Sequence, residues 1–442
     1  MMFSNHIEKI FDLNKDKVAL VKETEITYQE LFDSYKKWQD VLKEKKIPSG
    51  SVFSVRGDYS IDSIGLMLAL IKINSIYVPL ANTVKDVRDK LRIAEVEFFY
   101  DFETGKFENL KTQVKHEILV GLKKSMNPGL ILFSSGTTGE PKASVHNFSP
   151  MLLKYLDGGK AINSIAFLLF DHIGGINTLL YTLANGGTLV LPQNRNPSYI
   201  SKLIQDYKVE VLPTSPTFIN MLLVSKAFSQ YDLSSLKVVT YGTEPMPQST
   251  LNSFVNVFPN VKMKQTYGLS EVGILRTRSK SNNSLWIEIL EDSHHSFKVV
   301  DDIIFIKSSM AMLGYLNAPS PFDESGWFNT QDKVLKDGNF YKILGRISEI
   351  INVGGEKVYP SEVESVILSL DEVRDVIVFS KENSLVGNVV ACKVQIDDLN
   401  NQKEIKSKIK ILCKEKLEKF KRPVYIEFTD SGFSGDRFKR KR

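Results

Sequence analysis

The sequence contains few of the residues that build disulfide frameworks and metal clusters. Only 2 cysteines and 6 histidines occur in 442 residues. The cysteines, Cys392 and Cys413, lack the spacing of a metal site and are too few for a disulfide-stabilised scaffold. A disulfide framework is therefore not expected, and a reducing, cytoplasmic location fits best.

Long apolar runs and a strong charge imbalance are also lacking. No window reaches roughly 18 uninterrupted apolar residues, and the longest stretch, near 64–80, is broken by Lys72 and Asn74. The first residues lack the apolar core of a signal peptide. The net charge of +5 does not by itself indicate nucleic acid. We predict neither a membrane span nor a nucleic-acid partner.

What is present is ordinary globular composition, with 42% hydrophobic and 25% charged residues. The length suits two domains or more. A capping box at Thr27 and Glu30 begins a predicted helix, and residues 51–80 read as strand, helix and strand. Such alternation predicts a parallel α/β sheet, and residues 299–306 predict β structure further along the chain.

One stretch, 130–145, combines a strand with the donors that suit a polyanion. Leu130–Phe133 is apolar enough for a buried strand, and glycines, hydroxyls and a lysine follow it. Glycine lets backbone N–H groups approach phosphate oxygens, and the lysine adds a mobile charge. No Walker A sequence follows, and an ordinary Ser/Gly surface loop is the alternative. The predicted phosphate-binding residues are Ser134, Ser135, Gly136, Thr137, Thr138, Gly139 and Lys142.

A second motif, QTYGLSE at 265–271, ends in a carboxylate. Glu271 offers the hard oxygen ligand that Mg²⁺ prefers, and Ser270 offers a donor to phosphate. Tyr267 offers a flat face beside a base, and Gly268 allows a close approach. Taken alone, this motif is more typical of an ordinary strand and loop, and it gains weight only from its position downstream of the predicted phosphate loop.

Several motifs together resemble the adenylate-forming superfamily of acyl-CoA synthetases, carrier-protein adenylation domains and luciferases. They occur in the family's order: SSGTTGEPKAS, TYGLSE, WFNTQD, YKILGR and GGEKVYPSEVE. The resemblance implies a large ATP- and acid-binding domain over 1–346, made of α/β sheets with a β-rich subdomain. It also implies a small mobile α+β domain over 347–442. Ser361 and Glu364 read as a capping box in the latter.

The resemblance also implies roles for single residues. Asp332 would accept hydrogen bonds from the ribose hydroxyls, and Arg346 would contact ribose or phosphate. Gly354 and Gly355 would line the thiol tunnel. A gapless count from KFKRP places Lys439 as the lysine that stabilises the carboxylate and α-phosphate. The adenine loop would comprise Gly242, Thr243, Glu244 and Pro245.

Three positions depart from the family's pattern. Ala143, Gln331 and Phe438 each stand where relatives carry glycine.

The acid pocket is predicted at AFLLFDHIGG, 166–175, which reads as a strand running into polar residues and two glycines. In the family, a histidine here lines the acyl pocket, which would assign His172. Amino-acid-activating relatives carry an aspartate here for the substrate ammonium, which would assign Asp171. Gly174 and Gly175 allow a ligand or backbone to approach closely. With Gly268, these residues form the predicted acid site.

The implied reaction is ATP-dependent activation of a carboxylic acid and transfer to a thiol of CoA or carrier-protein phosphopantetheine. Glu271, His172 and Lys439 would be the catalytic residues, with Mg²⁺ held by Glu271. An amino-acid adenylation enzyme loading a carrier protein and a catalytically degenerate nucleotide-binding relative are the alternatives. The acid, the acceptor and the oligomeric state stay open.

Overall fold

The computed structural model describes residues 2–135, 141–383 and 387–433. Within them, the α-helices are α1 Met2–Leu13, α2 Tyr28–Glu44, α3 Ile61–Lys72, α4 Val87–Ile93, α5 Glu117–Ser125, α6 Ser149–Leu153, α7 Ile173–Ala184, α8 Pro197–Asp206, α9 Pro216–Ser225, α10 Gln248–Val257, α11 Pro360–Ile367 and α12 Gln402–Lys416.

The strands alternate with these helices at first and then follow one another directly. They are β1 Val18–Val21, β2 Glu25–Thr27, β3 Val52–Gly57, β4 Ile76–Ala81, β5 Phe98–Asp101, β6 Lys106–Asn109, β7 Gly129–Ser135, β8 Pro141–Asn147, β9 Asn163–Ile165, β10 Thr188–Val190, β11 Val211–Thr214, β12 Val238–Tyr241, β13 Lys262–Gln265, β14 Tyr267–Leu269, β15 Gly273–Ser279, β16 Trp286–Leu290, β17 His295–Val300, β18 Ile303–Ser308, β19 Gly314–Tyr315, β20 Phe328–Asp337, β21 Phe340–Arg346, β22 Ile351–Val353, β23 Glu356–Val358, β24 Asp375–Asn383, β25 Gly387–Gln395 and β26 Tyr425–Thr429.

Two sheets form the α/β part, one parallel except for its β1–β2 edge and one with the parallel centre β7-β4-β3-β5 between antiparallel edges. The first sheet has the order β13-β12-β11-β9-β10-β1-β2, and the second has the order β19-β8-β7-β4-β3-β5-β6. One hydrophobic core combines side chains of both sheets, such as Leu189 and Tyr77, with side chains of α2, α3 and α7. This arrangement confirms the α/β prediction, because parallel strands need helices to cover both faces.

The β-rich part is a third, antiparallel sheet with the order β14-β15-β16-β21-β20-β18-β17. Beyond it lie the β22–β23 hairpin and the three-stranded sheet β24-β25-β26. The core of the third sheet reaches Ile343, and a separate core begins at Ile351. The predicted division at 346/347 falls between these two cores.

Part of the outer edge of the first sheet is covered by one side chain. β13 pairs only with β12, which leaves its other backbone groups without a neighbouring strand. The Asn282 side chain accepts a hydrogen bond from the Met263 N–H at 2.6 Å and donates to the Val261 carbonyl at 2.9 Å. A loop amide therefore takes the place of a partner strand here.

Two helix starts test the predicted capping boxes. At α2, the Thr27 hydroxyl accepts from the Glu30 N–H at 3.2 Å, and the Glu30 carboxylate accepts from the Thr27 N–H at 2.7 Å. That prediction is confirmed. The box at Ser361 and Glu364 is wrong, because Ser361 donates to the Leu344 carbonyl and Glu364 accepts from the Val378 N–H.

His146 on β8 is fully buried, and within the described residues neither of its ring nitrogens has a hydrogen-bond partner. Burial lowers the pKa of His146 to about 4. The unfolded chain therefore binds more protons than the folded chain between about pH 4 and pH 6.5. Stability that is complete above pH 6.5 should fall as the pH drops toward 4.

We predict that the free energy of unfolding falls by up to about 3 kcal/mol more between pH 7 and pH 4 in the wild type than in His146→Leu. The leucine variant has no proton to take up at this position. Urea unfolding followed by circular dichroism across this pH range measures the difference. Parallel pH profiles for the two proteins would contradict the prediction.

Candidate active site

The predicted phosphate-binding stretch lies on the β7–β8 hairpin. Ser134 on β7 is paired with Lys142 on β8, so both lie where the two strands leave the second sheet. Gly136, Thr137, Thr138 and Gly139 lie outside the described residues, as does the predicted catalytic Lys439. Lys142 is therefore the part of the predicted phosphate site whose surroundings can be described in detail.

Lys142 and Glu271 both contact Tyr315, a residue that the sequence analysis did not single out. The Lys142 ammonium lies 5.3 Å from the centre of the Tyr315 ring, within the range of a cation–π interaction. The Tyr315 hydroxyl donates a hydrogen bond to Glu271 Oε1 at 2.6 Å. Two predicted site residues that are far apart in sequence are thus joined through one side chain.

A second group lies at the start of the third sheet. The buried Tyr267 hydroxyl donates a hydrogen bond to Asp332 Oδ2 at 2.7 Å. Arg346 Nε lies 3.7 Å from the other oxygen, Asp332 Oδ1. Three predicted nucleotide-binding residues are therefore in contact. Because the Tyr267 hydroxyl is already hydrogen-bonded to Asp332, the ring is the part of Tyr267 that would contact a nucleotide base.

The electrostatics of Asp332 connect the two groups. Burial raises the pKa of Asp332, while the bond from Tyr267 and the charge of Arg346 lower it. Glu349 and Glu271 raise the pKa further, because their negative charges disfavour ionisation of a nearby carboxyl. Glu271 and Asp332 thus lie close enough to interact, and an added positive charge would favour the ionised form of Asp332.

Gln331, one of the departures from the family's pattern, adopts a backbone conformation that favours glycine. Its φ is +59°, in the left-handed region. The Gln331 N–H donates to Asn329 Oδ1 at 2.9 Å, and Asp332 N–H donates to the Thr330 hydroxyl at 3.0 Å. Asp332 is therefore held in place although glutamine replaces glycine.

The predicted adenine loop begins where β12 ends and meets the end of β13. A Cβ at Gly242 would lie 2.5 Å from Thr266 Oγ1, so only glycine fits between these strand ends. Thr243 has a φ of +73°, and Glu244 Oε1 accepts a hydrogen bond from the Thr217 N–H at 2.8 Å. Pro245 follows in the same turn. The carboxyl ends of parallel strands are the usual position of nucleotide sites in open α/β sheets.

Two further residues of the QTYGLSE motif lie at the β14–β15 hairpin. A Cβ at Gly268 would lie 2.6 Å from the Gly273 carbonyl oxygen, so glycine there permits close strand pairing. Ser270 is half-buried directly after β14. Both precede Glu271, whose carbonyl accepts a hydrogen bond from the Met312 N–H at 2.8 Å.

The predicted acid-binding segment differs from its expected form. The expected strand up to Asp171 is wrong: β9 ends at Ile165, and 166–172 form an irregular segment with a turn at 170–171. The Arg195 side chain donates to the Phe167 carbonyl at 2.6 Å and so occupies this carbonyl in place of a neighbouring strand. His172 caps α7, and its Nδ1 accepts from the Gly174 N–H at 3.0 Å.

Asp171 is buried among protein groups, with 5% of its surface exposed. Its Oδ2 accepts a long hydrogen bond from the Ala81 N–H at 3.4 Å. Burial raises the pKa of Tyr77, and the negative charge of Asp171 raises it further. Asp171 therefore lies in the interior beside β4, close enough to Tyr77 for its negative charge to disfavour ionisation of the Tyr77 hydroxyl.

Gly354 and Gly355 form the tip of the β22–β23 hairpin. Their φ angles are +58° and +96°, and Asn352 Oδ1 accepts a hydrogen bond from the Gly355 N–H at 3.0 Å. Both are exposed, and an added Cβ at either would meet nothing within 4 Å. Glycine is required there by the turn itself, and no contact of these residues tests the predicted thiol tunnel.

A bound Mg²⁺ would rely on few protein ligands here. Among the described residues there is no group of three or more His, Cys, Asp or Glu side chains that could hold a metal. Glu271, with one oxygen bonded to Tyr315, offers one carboxylate. This donor set fits Mg²⁺, which is commonly held by one or two carboxylates together with waters and substrate phosphates.

Comparison with known proteins agrees with this arrangement. Residues 81–286 match the sequence profile of the AMP-binding enzyme, and residues 362–433 match that of the AMP-binding enzyme C-terminal domain. An anthranilate CoA ligase crystallised with anthranoyl-AMP shares the fold, with a TM-score of 0.80 at 19% identity over 97% of this chain and 93% of that one. The fold is thus that of the adenylate-forming enzymes. The chain belongs to the AMP-binding enzyme family.

Two curated relatives differ in the thiol acceptor that their names give. Acyl-CoA synthetase 7 of Caenorhabditis elegans is 31% identical over an alignment that covers 73% of this chain and 66% of the relative. A D-alanine--D-alanyl carrier protein ligase of Staphylococcus haemolyticus (strain JCSC1435) is 25% identical, covering 92% of this chain and 91% of the relative. No helix within the described residues is long and apolar enough to cross a membrane.

The close packing at Gly175 gives a prediction with an adjacent control. A Cβ at Gly175 would lie 2.0 Å from the Leu169 carbonyl oxygen, which is backbone. A Cβ at Gly174 would meet the movable end of the Leu168 side chain at 2.7 Å. We predict that Gly175→Ala lowers the free energy of unfolding by about 1–3 kcal/mol, whereas Gly174→Ala changes it much less. Urea unfolding measures both variants, and equal losses would contradict this explanation of Gly175.

Proposed function

We propose that the protein activates a carboxylic acid with ATP, forming an acyl-adenylate and pyrophosphate, and then transfers the acyl group to a thiol. Two contact groups support this most directly: Lys142 and Glu271 both contact Tyr315, and Asp332, whose pKa the charge of Glu271 raises, accepts a hydrogen bond from Tyr267. A cation, a carboxylate suited to Mg²⁺ and a carboxylate suited to ribose hydroxyls are the groups that an ATP-binding site needs.

Each group has a role that its chemistry supports. The Lys142 ammonium would bind the phosphates as a mobile point charge, with Ser134, Ser135, Gly136, Thr137, Thr138, Gly139 and Ser270 supplying further donors. Asp332 would accept from the ribose hydroxyls, and Arg346 would keep that carboxylate ionised and contact ribose or phosphate. The Gly242–Pro245 turn and the Tyr267 ring would enclose the adenine.

The metal fits this arrangement as part of the substrate complex. Glu271 would hold Mg²⁺ together with phosphate oxygens and water. When bound, the ion supplies positive charge where negative charge develops on the phosphates. The chain's own contribution is to fix the orientation of the Glu271 carboxylate before ATP arrives.

The reaction proceeds through two displacements. In the first, a carboxylate oxygen bonds to the α-phosphorus while the bond from that phosphorus to pyrophosphate breaks. In the second, the thiol sulfur bonds to the acyl carbon, its proton is lost, and AMP leaves. Lys439 is proposed to stabilise the first step. Gly354 and Gly355 are proposed to line the path of the thiol, within a mobile domain of 347–442. CoA and carrier-protein phosphopantetheine both supply such a thiol.

The side chains near α7 bear on the class of acid. His172 is the proposed neighbour of a simple acid's carboxylate, because it lies at the N-terminus of α7. Asp171 already accepts a hydrogen bond from the Ala81 N–H, so its carboxylate has a protein partner without a substrate. These contacts favour a simple carboxylic acid.

Activation of an amino acid for a carrier protein is the second candidate function. It is favoured by the carboxyl group of Asp171, which could pair with a substrate ammonium, and by the carrier protein ligase that aligns over 92% of this chain. The two candidates share the first chemical step and differ in the charge that the acid pocket must accept.

ATP–pyrophosphate exchange with a panel of carboxylic acids and free amino acids tests the proposal. We predict exchange with at least one acid and a large loss in Glu271→Gln, on the order of 2–4 kcal/mol of transition-state stabilisation. The substitution keeps the volume of the side chain and removes its charge. Absence of exchange with every acid would contradict the function, and wild-type exchange in Glu271→Gln would exclude Glu271 as the metal ligand.

Asp171→Asn distinguishes the two classes of acid. With a simple acid, we predict little change in exchange, because no substrate ammonium depends on the Asp171 charge. With an amino acid, the change would leave a buried cation without its partner and cost several kcal/mol. Thermal unfolding of the variant separates loss of the fold from loss of binding. Amino-acid exchange that disappears in a folded Asp171→Asn variant would establish the second candidate.

A further inference from the structure

We infer that Tyr315 is a positioning residue that holds Glu271 and Lys142 in the arrangement required by the ATP–Mg²⁺ complex. The inference rests on the proposed function. It concerns a residue outside all the motifs described in the sequence analysis. Tyr315 itself is not assigned a bond to substrate, and its effect passes through the carboxylate and the ammonium that it contacts.

The first contact fixes the direction of the Glu271 side chain. A 2.6 Å bond from a phenol to a carboxylate oxygen is short, as expected when the acceptor is charged. It occupies one lone-pair direction of Oε1 and leaves Oε2 free of any protein hydrogen bond found among the described residues. A carboxylate held in this way can offer Oε2 to a metal without first choosing among rotamers.

The second contact concerns Lys142. Its ammonium lies over the ring of the same tyrosine, and no ion pair within 4.0 Å joins Lys142 to Glu271. A direct ion pair between these two residues would neutralise both charges that the site needs for phosphate and metal. By contacting the cation with its ring and the anion with its hydroxyl, Tyr315 gives each charge a separate partner.

The backbone of Tyr315 is tied to the strand that carries Lys142. β19 pairs with β8, where Tyr315 lies opposite Ser144. On the next residues, the Leu316 N–H donates to the Ala143 carbonyl at 3.0 Å. Asn317 donates to the Pro141 carbonyl at 2.8 Å and accepts from the Ala143 N–H at 3.0 Å. The position of the ring relative to Lys142 is therefore set by strand pairing.

The test compares ATP binding with and without Mg²⁺ in wild type and Tyr315→Phe. Calorimetry with ATP in EDTA reports the affinity that does not depend on the metal, to which Lys142 contributes, and the same titration in Mg²⁺ adds the contribution that Glu271 makes through the metal. We expect Tyr315→Phe to lose roughly tenfold or more of the Mg²⁺-dependent gain in affinity, because it removes a hydrogen bond to a charged group. Its affinity in EDTA should change less than about twofold, because the ring remains beneath Lys142.

Tyr35→Phe is the matched control. Tyr35 is also buried, and its hydroxyl donates to a carboxylate, Glu8 Oε1, at 2.8 Å. This hydrogen bond joins α2 to α1 and involves none of the predicted ATP-binding residues. Tyr35→Phe should lose stability in thermal unfolding without any change in the Mg²⁺-dependent gain. Tyr315→Leu, which also removes the ring, should weaken ATP binding in EDTA as well.

Coupling to Glu271 identifies the route of the effect. In Glu271→Gln, adding Tyr315→Phe should change the affinity for ATP with Mg²⁺ by less than about twofold, because the carboxylate it orients is gone. An undiminished Mg²⁺-dependent gain in Tyr315→Phe, or losses that simply add in the double variant, would overturn the inference. If wild type bound no ATP at all, the proposed function itself would fail, so the two failures are distinguishable.

Discussion

The hydrogen bond between Tyr267 and Asp332 joins two strands of the third sheet that are not neighbours. Tyr267 lies on β14, the edge strand that follows β13 of the first sheet, whereas Asp332 lies on β20, on the far side of β15, β16 and β21. A buried carboxylate is tolerated only when donors or a cation offset its lost hydration. Tyr267 and Arg346 supply these, and the requirement ties the edge strand β14 to the opposite half of the same sheet.

The sequence predicted the elements well where a local signal determines them. The Thr27–Glu30 capping box, the α3 helix and the alternation of strands with helices depend on neighbouring residues, and each is present. The strand before the predicted phosphate-binding residues follows from a local signal too, the apolar run Leu130–Phe133, and it is present as β7.

Two predictions from the sequence are wrong because the groups involved form hydrogen bonds with residues that are distant in sequence. The apolar residues Phe167 and Phe170 suggest a longer strand, and both are buried. The Phe167 carbonyl nevertheless accepts a hydrogen bond from the Arg195 side chain, so this carbonyl does not pair with a neighbouring strand. Ser361 and Glu364 have the spacing of a capping box, but each bonds to a residue outside α11. Tyr315 was missed because the short segment around it has no periodic pattern, and its partners are far along the chain.

The Asn282 amide at the edge of β13 has a consequence beyond the fold. A bare edge of a sheet presents N–H and carbonyl groups that can template the strand of another molecule. Here the Met263 N–H and the Val261 carbonyl are already occupied by one side chain. Lys262 and Lys264 are exposed on the same strand, and their charges disfavour a second copy. The Asn282 side chain and the two lysines therefore make β13 a poor template for aggregation.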